Sequence, residues 1–216
     1  MGISTSILEF WQYLVDRQDM FLNLFYEHTR LILITAIISI IIGVILGLVS
    51  TYYKSLANII LTVTQILMTI PSLAMIAIIF PLFGIGPTTG IVALVLYSLL
   101  PIVRNTYTGI NELDANVLEA AKGMGMSERK ILLKIKIPLA LPVIIAGIRT
   151  AVVMVVGIGA IASLIGAGGL GDFIFRGISR DFPFMILAGA IGVSILAIAL
   201  DLLLSWLEQK VIARQS

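Results

Sequence analysis

The chain has 216 residues, of which 59% are hydrophobic and 12% charged, with a net charge of +2 and no cysteine. About a quarter of the residues of a soluble domain are charged, and a mean hydropathy of +1.11 is more than a water-soluble core of this size can hide, so lipid is the natural solvent. The small net charge argues against a nucleic-acid partner, and the lack of cysteine excludes disulfides, thiolate metal sites and a cysteine nucleophile.

Residues 1–30 carry Ile3, Ile7, Trp11, Leu14 and Val15 at helical spacing among Glu9, Asp16, Arg17 and Asp19. This predicts an amphipathic helix at the membrane interface, with Trp11 and Tyr13 at headgroup depth. No basic stretch precedes an apolar run and a cleavage site, so no signal peptide is expected. Met1-Gly2-Ile3-Ser4-Thr5-Ser6 fits an acylation pattern, but the orientation derived below puts this end outside the cell, where it reads as an ordinary start. His28 has no second metal-ligand type nearby and reads as an interfacial histidine.

A spanning helix needs about 20 apolar residues. Five stretches qualify: 31–49, 57–80, 88–103, 139–164 and 184–207. The second contains Gln65 and Pro71, the third ends near Pro101, and the fourth and fifth hold one charge each, Arg149 and Asp201. Runs this long are not the alternating segments of a membrane barrel. Gly43 and Gly47, four apart in the first span, let a neighbouring helix come close, within the chain rather than in a dimer.

The one long polar segment between spans is 104–138, and its pattern predicts two short helices. In the first, Leu113, Val117, Ala120, Ala121 and Met124 share a face opposite Glu119 and Lys122. Asn111 is its expected N-cap, with Asp114 in the first turn, and Gly123 and Gly125 end it. Ser127 starts the second, and Pro138 opens the fourth span. A solvated loop has no need of a smooth apolar face; a helix that lies in a partner's groove does.

Lys and Arg set the orientation. With 104–138 in the cytoplasm, nine lie inside (Lys54, Arg104, Lys122, Arg129, Lys130, Lys134, Lys136, Lys210 and Arg214) and four outside (Arg17, Arg30, Arg176 and Arg180). The positive-inside rule then puts the N-terminus outside and the C-terminus in the cytoplasm.

Glu119-Ala120-Ala121, Gly125 six positions after the glutamate, and Ile135-Lys136-Ile137-Pro138 follow one pattern. It resembles the EAA loop of bacterial ABC importer permeases, departing only in Ile137 where the pattern has Leu. Residues 97–110 and Ile165-Gly166-Ala167-Gly168-Gly169-Leu170-Gly171-Asp172 resemble the osmoprotectant branch of that family, and the likeness runs from about 30 to 210. The resemblance implies a permease subunit in the bacterial plasma membrane for glycine betaine, carnitine, choline or a similar solute. It implies three protein partners: an ATPase, a second permease copy or paralogue, and a solute-binding protein outside. Glu119, Ala120, Ala121, Gly125, Ile135 and Pro138 would then couple to the ATPase. The expected fold is all-α: five transmembrane helices, an N-terminal amphipathic helix and a cytoplasmic coupling helix, in one permease domain over 1–216.

Other signals are weaker. No G-x-x-x-x-G-K-[ST] motif occurs, so ATP and Mg are expected on the separate ATPase, with no cofactor in this chain. Gly166-x-Gly168-x-x-Gly171 matches a dinucleotide fingerprint letter by letter, but it follows a membrane span where that motif needs a strand; it reads as a flexible, tightly packed segment near the outer gate. Arg149 and Asp201 each cost about 2.5–3.5 kcal/mol to insert and are expected to pair, with Arg104 as a rival partner for the aspartate. Gln65, Met68, Tyr97, Met154 and Ser163 are candidate pathway-lining groups. No catalytic or metal constellation is present. An ion-gradient-driven transporter or channel is the alternative, and it predicts inverted repeats and paired intramembrane acids, neither of which the sequence contains.

Overall fold

Apolar helices dominate the computed structural model, which describes residues 3–213. Met1 and Gly2 of the acylation pattern, and the inner cation Arg214, lie outside the described residues. Every regular element among them is helical. Helix α1 spans Ile3–Asp16 and α2 spans Gln18–Tyr52. The interfacial helix therefore stops at Asp16 instead of running to residue 30. The reason lies in Phe21, Leu24 and Phe25, which pack with Leu170, Phe173, Met185 and Ala188 in one apolar cluster, so residues 18–30 join the first span. On α1, Phe10, Tyr13 and Leu14 face that cluster, while Ile7, Trp11 and Val15 are exposed. The expected apolar face thus divides into a packed side and an outward side suited to lipid.

The second expected span, 57–80, is broken. Helix α3 covers Lys54–Thr69 and α4 covers Ser72–Phe83, and the two are bent by 104°. Pro71, with ψ of 140°, supplies no N–H to the helix and pushes the residue before it out of helical geometry. Helix α5, Pro87–Asn111, runs through Pro101 and takes in residues expected in the loop. Two short helices follow, α6 at Ala115–Gly123 and α7 at Glu128–Ile131, then a π turn at Leu132–Lys136. Helix α8, Ile137–Gly159, ends earlier than expected and gives way to a tight 3₁₀ turn, Ile161–Ile165. A short α9, Gly171–Ser179, precedes α10, Pro183–Ile212. Among the described residues four unbroken helical segments are long and apolar enough to cross a membrane, and the count is five where the bent α3–α4 pair is taken as one broken span.

The contacts divide the chain into two compact units. The first draws on residues up to Thr35, Ile70–Val95 and Met154–Ala199. Its core is the Leu24–Phe173–Met185 cluster, bordered by stacked rings: Tyr13 and Phe182 lie edge-to-face with centroids 5.1 Å apart. The second draws on Ala36–Thr69, Leu96–Val153 and the chain from Leu200. There Gly43 and Gly47 lie against α5. A methyl group on Gly43 would come within 2.7 Å of Ile102, and one on Gly47 within 2.5 Å of Thr106. The closeness brings the Ser98 hydroxyl within reach of Ser39, to which it donates. Ile110, Ala140 and Ile144 form a separate apolar cluster in this unit.

Candidate functional site

The segment between α5 and α8 holds the predicted coupling residues. Its helix starts later than the expected Asn111 cap, because Asn111 is the last residue of α5. Asp114 is the N-cap: its carboxylate accepts the Asn116 N–H at 2.9 Å, a contact worth about 1 kcal/mol to a helix. At the other end the Met126 N–H bonds the Ala121 carbonyl at 3.2 Å and the Gly125 N–H bonds the Lys122 carbonyl at 2.9 Å. With Gly125 at φ +75° this pair is a Schellman motif, which needs a left-handed residue at that position. Space does not demand the glycine, since a methyl group there would meet nothing within 4 Å.

The two faces of α6 separate the expected docking residues. Val117, Ala120 and Met124, at i, i+3 and i+7, are exposed, Met124 by 73%. Glu119, on another side of the helix, is exposed as well. Ala121 is 1% exposed and packs inside its own chain. The expectation that Ala121 belongs to the outward face is thereby corrected. Two adjacent alanines lie about 100° apart around a helix, and here one faces inward and the other outward.

Lys122 and Glu128 approach to 3.6 Å between α6 and α7, a surface pair of small value. In α7, Ser127 sits at the N-cap but forms no side-chain cap bond, and Ile131 is buried. The π turn then carries Ile135 and ends where the Ile137 N–H bonds the Leu132 carbonyl. Pro138 accounts for the widening: its ring has no N–H for the carbonyl four residues back and crowds that carbonyl, so the turn opens by one residue. Ile135 and Pro138 are both half-buried.

The two intramembrane charges meet. Arg149 Nε donates to Asp201 Oδ1 at 2.5 Å and Nη2 to Oδ2 at 2.8 Å, a two-pronged pair. The third guanidinium nitrogen, Nη1, lies 3.6 Å from Glu208 Oε2. Glu208 had no role in the sequence reading, although seven residues after Asp201 is the spacing that returns a helix to the same face. Arg104 is exposed and Asp201 takes Arg149.

The candidate pathway residues differ in exposure. Gln65 and Met68 are exposed on α3, and Met154 on α8 is half-buried. Tyr97 is 4% exposed and Ser163 7%, so within the single chain neither offers a passing solute a useful surface. The Ser163 hydroxyl donates to the Ala160 carbonyl at 2.8 Å. His28 is not interfacial. It is fully buried, and Nε2 donates to the Val156 carbonyl at 3.1 Å. The ring fits beside Gly169, where a methyl group would fall 2.8 Å from Nδ1. The Gly169 N–H in turn bonds the Glu27 carboxylate at 3.1 Å. The Gly166–Gly171 segment follows a 3₁₀ turn and leads into α9, which is not the strand-to-helix setting of a dinucleotide site.

Known proteins share both the sequence and the fold. The chain is 44% identical over 185 residues to the choline transport system permease protein OpuBB of Bacillus subtilis, covering 86% of this chain and 85% of that one. It is 44% identical over 201 residues to the osmoprotectant import permease protein OsmW of Salmonella typhimurium, covering 91% and 94%. The carnitine transport permease protein OpuCD of Listeria monocytogenes is also 44% identical, over 86% and 83%. The fold matches an inward-facing MetNI methionine ABC transporter chain with a TM-score of 0.81 at 19% identity, over 91% of this chain and 98% of that one. Residues 30–213 match the model of one family. The chain, a multi-pass membrane permease, therefore belongs to the family described as binding-protein-dependent transport system inner membrane component.

Proposed function

We propose that this permease, with a second copy or a close paralogue, forms the membrane path of an ATP-driven importer for glycine betaine, carnitine, choline or a similar small solute. One observation carries the reading: α6 is a capped helix outside the apolar spans whose exposed side presents Val117, Ala120 and Met124. Water has no use for such a face, and a groove on an ATPase does. Similarity to permeases named for choline, carnitine and osmoprotectants supports the solute class. The family works with an ATPase and a separate solute-binding protein. ATP and Mg belong to the former, and selection of the solute belongs to the latter.

In this reading Glu119 and Ala120 touch the ATPase, and Gly125 lets the chain turn away from it. Ala121 anchors α6 to its own chain, and Ile135 and Pro138 shape the π turn that carries movement into α8. The nine-to-four distribution of Lys and Arg supports an N-terminus outside and a C-terminus in the cytoplasm. A cysteine placed at Ser179 then reacts with an impermeant reagent from outside, and one at Ser127 does not; the reverse pattern overturns the orientation.

The coupling test is Ala120→Asp in the complete complex with its ATPase and binding protein. ATP-driven uptake is expected to collapse and the ATPase to co-purify poorly, while the binding protein still captures solute. Wild-type uptake and ATPase retention in a fully expressed variant would remove α6 from the coupling role. Competition among the three named solutes then tests the substrate class, and uptake that none of them inhibits rules the class out.

A further inference from the structure

The helix before the Pro71 break has a side that the functional reading leaves unused. Ser55, Asn58, Thr62, Gln65 and Thr69 recur on α3 at alternating steps of three and four, and all five are exposed. The buried or half-buried side of the same helix is Ala57, Ile60, Leu61, Thr64 and Leu67. A third group, Leu56, Ile59, Val63 and Ile66, is exposed and apolar. At about 100° per residue, the polar row lies roughly 140° from the packed edge and roughly 100° from the apolar face. Helix α3 is therefore three-sided, with one side in protein and two open sides of opposite chemistry.

The apolar open side suits lipid tails. The polar one does not. A primary amide without a hydrogen-bonding environment costs several kcal/mol in hydrocarbon, and this row carries two, Asn58 and Gln65. The hydroxyls are a milder case. Thr69 donates to the Ile66 carbonyl at 2.7 Å within its own helix, so a threonine satisfies its single donor locally, whereas one such bond from an amide, as Asn105 makes to the Pro101 carbonyl, leaves its second N–H and its carbonyl to be satisfied elsewhere. Sixteen residues give α3 a length of about 24 Å, most of the hydrocarbon thickness. The polar row runs the whole of that length, so it is not a headgroup feature of one end. Two other spans are built differently: α2 exposes Leu33, Ile37, Ile41 and Ile45, and α10 exposes Leu187, Ile191, Ile195 and Ile198.

We propose that the Ser55–Asn58–Thr62–Gln65–Thr69 row of α3 is the wall of the solute path, facing water between this chain and its permease partner. This rests on the reading of the chain as an importer permease. A wall of neutral amides and hydroxyls hydrates a small solute and holds no end of it by charge, which suits a conduit whose selection is made elsewhere. A quaternary ammonium centre donates no hydrogen bond and carries a charge that a carboxylate wall would trap. Of the earlier pathway candidates, Gln65 belongs to this row, and Met68 is exposed outside it.

The absence of cysteine makes the test direct. Single cysteines replace Asn58, Thr62 and Gln65 on the polar row, and Ile59, Val63 and Ile66 on the apolar face. Each variant is assembled with its ATPase in membrane fragments open on both sides. The probe is 2-(trimethylammonium)ethyl methanethiosulfonate, a charged reagent that carries the quaternary group itself. Because only a hydrated thiol ionises to the reactive thiolate, the polar positions are expected to react at least about tenfold faster than the apolar ones. Gln65→Leu, which folds without a new thiol, is expected to lower uptake several-fold with ATPase retention unchanged. Equal rates on the two faces, faster reaction on the apolar face, or full uptake by Gln65→Leu overturns the inference. Uptake by the complex that carries the unsubstituted chain, measured alongside in sealed vesicles, separates the two readings. ATP-driven uptake with an inert polar row sinks the wall alone. A reactive row without ATP-driven uptake of any named solute overturns the proposed solute class and leaves α3 with a water-facing row whose solute is a different one.

Discussion

Two left-handed glycines, Gly125 after α6 and Gly169 before α9, sit in different surroundings. Both have positive φ, +75° and +90°. Around Gly125 a methyl group would meet nothing, whereas at Gly169 it would strike the His28 ring and backbone at 2.8 to 3.1 Å. The first glycine is required by the backbone alone, and the second by backbone and packing together. The difference separates a turn left open, on the segment assigned to a partner, from one closed by its own chain. Around Gly169 the closure is thorough: Glu27 accepts its N–H and His28 fills the space above its Cα.

Substitutions can break this contrast, and the largest effect is expected at the closed turn. Gly169→Val adds a branched side chain where even a methyl group collides, in a conformation L-residues avoid, and should cost at least about 3 kcal/mol. Thermal unfolding of the purified complex, with membrane yield, reads the loss; a melting temperature within error of wild type would mean that the turn is not packed as described. Next comes Ala121→Asp, which buries a carboxylate and should cost about 2–4 kcal/mol. Ala120→Asp, one residue away on the open side, should change stability by less than about 0.5 kcal/mol while abolishing coupling. Equal melting temperatures for the two aspartates would erase the distinction between the faces of α6. The smallest effect belongs to Gly125→Ala, about 1 kcal/mol from backbone strain alone. Gly125→Asn should recover part of it, because asparagine tolerates the left-handed region. A loss at Gly125→Ala as large as that at Gly169→Val would show that the open turn is occupied.

How far the sequence was legible follows the same division. Long apolar runs announce spans whatever their neighbours do, so the five stretches were readable, and so was the loop that carries Glu119 to Pro138. Pro71 was visible as a proline, but a 104° bend depends on what the chain packs against on either side. Ala120 and Ala121 have identical side chains, and nothing in their pattern tells which faces inward. Asp114 and Asn111 are both good caps; the choice fell to Asp114 because α5 continued through Asn111. His28 was misplaced for a related reason. A lone histidine beside Glu27 and Arg30 reads as wet, and only the space left by Gly169, far away in sequence, admits its ring to the interior. Glu208 could have been found from its seven-residue step after Asp201.

The Arg149–Asp201 pair also bears on how the protein is made. Its two members are 52 residues apart in the chain, and the arginine emerges first. At about 5–20 residues per second, the ribosome needs roughly 3–10 s to deliver the aspartate. During that time α8 carries an unpartnered cation whose insertion costs about 2.5–3.5 kcal/mol at mid-membrane, so the helix has reason to wait beside the insertion machinery with Arg149 turned to water. The arrival of α10 supplies both Asp201 and Glu208 and releases it. In this order of synthesis the last span brings the carboxylates that Arg149, already made, lacks until then.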